Sequence, residues 1–124
     1  MVTKKNINQA IEKVVNLPSQ FYNLENISIY SLLEETGYFE IPDKINEENI
    51  LVELVNHPEC IEQWLDWSEN KRVTSGWYFR KSKNGKYIVG YFPEKETIKS
   101  IESSYASELC AKFIKREIED IRKE

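Results

Sequence analysis

A chain of 124 residues is about one modest domain long, and at 40% hydrophobic, 12% aromatic and 31% charged, with four Gly and four Pro, it is too rich in large apolar side chains for a disordered segment. The net charge of −4 and pI near 5.2 disfavour general binding to nucleic acid, whose phosphates select basic surfaces. The opening MVTKKNINQAIEKVV is interrupted by charge where a signal peptide or membrane span needs an unbroken apolar run, so a cytoplasmic protein outside the membrane is expected, with Cys60 and Cys110 as buried free thiols.

Ile7, Ala10, Ile11, Val14 and Val15 recur at helical spacing and predict an amphipathic helix that stops before Pro18. Residues 18 to 27 have no clear period and read as a loop whose Phe21, Tyr22 and Leu24 dip into the core. Ser28 is placed to cap a short helix carrying Ile29, Leu32 and Leu33, with Gly37 ending it in the left-handed conformation. YFEIP reads as a brief extended stretch closed by Pro42. Asn46 caps a further helix with Glu47 and Glu48 in its first turn and Ile50, Leu51, Leu54 and Val55 inward.

His57-Pro58 breaks that helix and starts another, running to about Asn70. On a wheel of about 100° per residue, Glu59, Glu62, Asp66 and Glu69 fall on one side and Cys60, Ile61, Trp64, Leu65 and Trp67 on the other. Glu62 and Asp66 repel each other at a spacing of four, so an outside cation would relieve the stripe. A solvated polar face is the plain reading; a pad that steers a basic partner is the functional one. Lys71 and Arg72 complement the carbonyl end of the helix.

Asn84-Gly85 between two aromatic runs predicts a two-residue hairpin turn. That register sets Trp77 across from Phe92, Phe79 from Gly90 and Lys81 from Ile88 on a core face; Tyr78 across from Tyr91, Arg80 from Val89 and Ser82 from Tyr87 form the other. The second face is aromatic yet wettable, the composition of a contact surface, although a covering loop or helix is the plainer account of it. A last helix is expected from Glu94 through Ile98, Ile101, Tyr105, Leu109, Phe113, Ile114, Ile118 and Ile121, roughly 40 Å long, with an end that projects or pairs two chains. The fold class is therefore α+β: a mostly helical single domain, a small antiparallel sheet built on the hairpin at about residues 76–92, and a long C-terminal helix.

Catalytic signatures do not emerge from the spacing. His57 and Cys60 could supply two zinc ligands, but no third or fourth follows at motif spacing, and adjacent helical positions rarely aim a base at a thiol. No Gly-rich phosphate loop, nucleophile elbow or EF-hand loop is present, and no cofactor is expected.

The run WLDWSENKRVTSGWYF, continuing through GKYIVGYF, is similar in texture to small acidic bacterial proteins of unknown function and, more loosely, resembles immunity proteins of polymorphic and contact-dependent toxin systems. The resemblance covers mainly residues 64 to 92 and implies a neutralising surface that blocks a toxin's active site or substrate groove; it implies no particular fold. The expectation is a non-catalytic protein-binding domain, monomeric or paired through its last helix. Glu59, Glu62, Asp66 and Glu69 supply charge to a basic partner, and Tyr78, Arg80, Tyr87 and Tyr91 supply aromatic contact. The rivals are a nucleic-acid or regulatory module using Tyr78, Arg80, Lys81, Lys83 and Lys86, and a small-ligand protein with a pocket assembled by folding.

Overall fold

A computed structural model describes residues 4–23, 28–71, 76–93 and 99–123. Helix α1 (Lys4–Val15) buries Ala10, Ile11, Val14 and Val15, the stripe its period predicts. Asn16 ends it, the side-chain amide donating to the Glu12 carbonyl at 2.9 Å. The expected loop after Pro18 is instead a second helix, α2 (Leu17–Asn23). Proline sits in its first turn, where the missing N–H has no helical partner to lose, so Pro18 separates two helices without abolishing the second. Phe21 meets Trp67 edge-on at 5.4 Å, while Leu24 and the side chain of Tyr22 lie outside the described residues.

Helix α3 (Ile29–Glu35) is capped as its sequence requires: Ser28 Oγ accepts from the Ser31 N–H at 3.0 Å, and Gly37 at φ 89° turns the chain away. The YFEIP segment is not extended. It forms one-turn 3₁₀ helices at Tyr38–Glu40 and Pro42–Lys44, with the Tyr38 ring fully buried and no strand among the described residues pairing with it. Asn46 and Asn49 then make a reciprocal capping box for α4 (Glu47–Asn56), at 2.9 and 3.0 Å.

Helix α5 (Glu59–Lys71) follows the break at His57-Pro58 and sinks Cys60, Trp64 and Trp67. Trp64 is fully buried, and its indole N–H donates to the Val15 carbonyl at 2.9 Å, satisfying one of the orphan acceptors at the end of α1. Strands β1 (Gly76–Lys81), β2 (Tyr87–Phe92) and β3 (Ile101–Ser103) form an antiparallel sheet in the order β1-β2-β3.

The hairpin bend lies where expected, but its loop is longer by one residue. Gly85 N–H donates to the Ser82 carbonyl at 3.1 Å and Ser82 N–H to the Lys86 carbonyl at 2.7 Å, leaving Lys83, Asn84 and Gly85 in the loop with Gly85 at φ 85°. This is the pattern of a three-residue turn with a bulge glycine. The register slips accordingly: Trp77 pairs with Tyr91, Tyr78 with Gly90, Phe79 with Val89, Arg80 with Ile88 and Lys81 with Tyr87. A one-residue slip exchanges the faces of β2. Tyr87, Val89 and Tyr91 therefore share a face with Trp77 and Phe79, and Ile88, Gly90 and Phe92 share one with Tyr78 and Arg80, correcting the expected partition.

The last helix, α6 (Ala106–Arg122), begins twelve positions later than expected, since Ile101–Ser103 adds a third strand and Tyr105 is its exposed N-cap. Seventeen residues give a rod of roughly 25 Å, not 40 Å, so the length argument for a projecting end falls away. Glu94, Glu96 and Ile98 lie outside the described residues. Leu109, Cys110, Phe113, Ile114, Ile118 and Ile121 are buried along α6, and Phe79 stacks on Phe113 at 5.8 Å, which holds the sheet to the helix. Both thiols are buried, and desolvation raises the pKa of each. Among the described residues no helix is long and apolar enough to cross a membrane.

Candidate functional site, a cleft between the fifth helix and the first strand

Strand β1 is an edge of the sheet, and α5 runs along it. The contact is specific: the Phe79 amide, which points away from β2, donates to Ser68 Oγ at 2.8 Å. Above that seam opens a cleft of about 960 Å³ lined by Glu62, Leu65, Asp66, Ser68 and Glu69 from α5, by Tyr78, Phe79, Arg80 and Lys81 from β1, and by Tyr91 and Phe92 from β2.

The helical period that buries Trp64 and Trp67 turns Glu62, Asp66 and Glu69 outward, and all three are exposed. None of the three is within ion-pair distance of a described cation. Arg80 and Lys81, the cations that line the same cleft, lie against rings: Arg80 Cζ is 5.1 Å from the Tyr78 centroid and Lys81 Nζ is 5.8 Å from that of Tyr87. The cleft thus holds, on its helical wall, carboxylates with no ion pair to a described residue, and aromatic surface on its sheet wall.

Gly90 makes the aromatic wall possible. A Cβ built there would stand 2.4 Å from Tyr78 Oη and 2.5 Å from Cζ, so the tyrosine ring lies across the strand in the space a side chain would fill. The slipped register makes Tyr78, and not Phe79, the ring that faces this glycine. Phe92, which the two-residue turn assigned to the core, is instead 57% exposed and lines the cleft.

Six of the eight residues expected to contact a partner therefore line one cavity: Glu62, Asp66, Glu69, Tyr78, Arg80 and Tyr91. Glu59 does not; it lies one turn away with Oε1 3.4 Å from His57 Nδ1, while Glu53 Oε2 is 3.3 Å from the other ring nitrogen. Tyr87 does not either, because it stacks on Phe79 at 5.9 Å on the inner face. Leu65, Ser68, Phe79 and Phe92 were missed, and Lys81 was expected only in the nucleic-acid alternative. The wheel put Leu65 with the core residues, and Ser68 carries no signal in sequence, since its role depends on which strand edge it meets.

The basic residues of the hairpin do not converge into a track. Lys86 Nζ is 3.9 Å from Glu102 across the β2–β3 pair, and Lys81 lies on the face opposite Arg80. Among the described residues no group of three or more His, Cys, Asp or Glu is arranged to hold a metal ion.

A polar cluster joins one face of α6 to the 3₁₀ segment, a long-range link that spacing along the chain does not show. Lys115 Nζ donates to Tyr38 Oη at 2.7 Å, to the Pro42 carbonyl at 2.9 Å and to the Ile45 carbonyl at 2.7 Å. Tyr38 in turn donates to Glu119, which accepts two hydrogen bonds from Arg122 at 2.7 and 3.0 Å. The Arg122 guanidinium, with help from Tyr38 and Lys115, holds the Glu119 carboxyl down at about 2. Burial and the same carboxylate push the Tyr38 phenol up, and burial pulls Lys115 down. This cluster ties the 3₁₀ segment to α6 and is structural.

No protein-family model matches the chain, and neither a curated protein nor a solved structure matches it.

Proposed function

We propose that this chain is a non-catalytic protein-binding domain that receives a basic surface of its partner in the α5–β1 cleft, and that it acts as immunity proteins do, occluding the working surface of a basic toxin domain. One observation carries the reading: Glu62, Asp66 and Glu69 line the same cavity as Tyr78, Tyr91 and Phe92, without an ion pair to any described residue. Such carboxylates, with no ion pair among the described residues, are worth little to the stability of the free protein, because solvated charges at a surface contribute about 0–1 kcal/mol even when paired. Their value lies in encounter and orientation, where complementary charge accelerates association and rejects wrong partners. The rings supply the area that excludes water once contact is made. The eleven residues that line the cleft are fewer than the roughly 20–30 a full interface engages on each side, so it serves as the centre of a larger contact.

The test is affinity capture from a lysate of the source cell with the wild type and with Glu62→Lys/Asp66→Lys, followed by identification of what is retained. A basic protein held by the wild type, lost by the variant and released as salt is raised from about 50 to about 500 mM is the expected result. Equal recovery of every protein by both baits would overturn the reading. With the partner in hand, suppression of its toxicity by the wild type but not the variant checks the immunity-type role.

A further inference from the structure

Resting on that reading, we infer that the cleft recognises an extended segment bearing lysine or arginine at alternate positions, with the intervening side chains packed on Tyr78 and Phe92. Three observations fix this chemistry. The first is spacing. Glu62, Asp66 and Glu69 are separated by four and then three residues of α5, which are steps of about 6 and 4.5 Å along the helix axis. Side chains on one side of an extended chain repeat every ~6.7 Å, so three alternate positions span about 13 Å. Lysine and arginine side chains are long and flexible enough to close the small difference from the ~10 Å covered by the carboxylates.

The second is the contrast between the two walls. Successive side chains of an extended chain point to opposite sides, and the cleft offers carboxylates on α5 and Tyr78 and the exposed Phe92 on the sheet.

The third is what the strand edge offers. Guests commonly enter beside an edge strand by hydrogen bonding to its free amides. Here the central outward amide of β1, that of Phe79, is already given to Ser68 at 2.8 Å, and α5 occupies the position of a fourth strand. Recognition therefore proceeds through side chains, which makes it sensitive to the order of residues in the guest and not only to their number. Arg80, lining the same cavity with its guanidinium against Tyr78, repels a fourth cation and so places the basic run opposite the carboxylates.

The probes are two capped synthetic peptides of identical composition, one containing Lys-Val-Lys-Tyr-Lys and the other Val-Tyr-Lys-Lys-Lys, each flanked by Gly-Ser and titrated calorimetrically into the full chain at low salt. The alternating peptide should bind at least about tenfold more tightly, because contiguous lysines in an extended chain direct every second cation away from α5. Glu62→Gln/Asp66→Gln should abolish the preference, and Tyr78→Ala should weaken the alternating peptide more than the contiguous one. Equal affinity for the two peptides would overturn the alternating code while leaving a general acidic docking site intact. Failure of both to bind would likewise overturn it, and the captured protein partner would then decide the broader proposal separately. Circular dichroism of each variant checks that a lost preference is not lost folding.

Discussion

At the residue scale the Tyr38–Lys115–Glu119–Arg122 cluster couples proton binding to stability. Glu119 titrates near 2 in the folded chain against an ordinary 4.5, so as pH falls the unfolded chain takes up the proton first. The stability this carboxylate provides is complete above about pH 4.5 and drains away as pH falls toward 2. Its side chain is a quarter exposed, so the contribution is discounted for solvent screening to the order of 1 kcal/mol. Urea denaturation of wild type and Glu119→Gln between about pH 6 and pH 3 checks this: the wild type should lead by about that amount at the upper end, with the gap closing toward the lower. A gap that does not change with pH would assign the cluster a packing role alone. Lys115, Glu119 and Arg122 share one face of α6 at steps of four and three, a legible spacing, but Tyr38 carries no such signal. Tyr38 joins them because the 3₁₀ segment and α6 are brought together by folding, which a search along one helix at a time cannot see.

The elements show which local rules survive in the folded chain. Caps do: Ser28, Asn46 and Gly37 act where they were expected, because each makes contacts within a few residues of its own position. Two of the assignments that failed did so for different reasons. Ile101 and Tyr105 fit the helical period of α6, yet Ile101 belongs to β3, and pairing with β2 outweighs a periodic pattern that is only permissive. The turn failed more narrowly, since Asn-Gly suits both a two-residue and a three-residue loop. What distinguishes them is Ser82, whose hydroxyl bonds Asn84 Oδ1 and donates to the Lys86 carbonyl at 3.0 Å, while Asn84 Oδ1 accepts from the Lys86 N–H at 3.1 Å. The bulge glycine carries the positive φ, so Gly85→Ala should cost about 1–2 kcal/mol in thermal or urea unfolding. An unchanged midpoint would show that the loop readjusts and that the register on either side of it is not pinned by the glycine.

For the whole molecule, α6 is the organising rod: α3, α4, α5 and all three strands pack on it. The class of fold was readable because that rod's buried stripe, the α5 wheel and the hairpin are each set by local periodicity. The cleft was readable only in halves. The acidic side of α5 and the aromatic side of β1 each stood out in sequence, but nothing in either stretch says that they share a cavity; that follows from α5 lying beside the open edge of the sheet. Phe92 and Tyr87 changed places because a single extra loop residue inverts a strand, and no composition argument registers such a change.

The Ser68 hydroxyl has a consequence beyond recognition. A sheet margin with its amides bare is an invitation to endless side-by-side growth, and this protein closes its own at Phe79 with one oxygen atom. Ser68→Ala should therefore do its damage among molecules more than within one. Light scattering of concentrated samples on gentle warming should rise well before the wild type's does, although the two unfold at similar temperatures when dilute; matching scattering curves would show that the neighbouring helix shields the margin without it. Solubility, on this view, is kept by the same short seam that gives the cleft its floor.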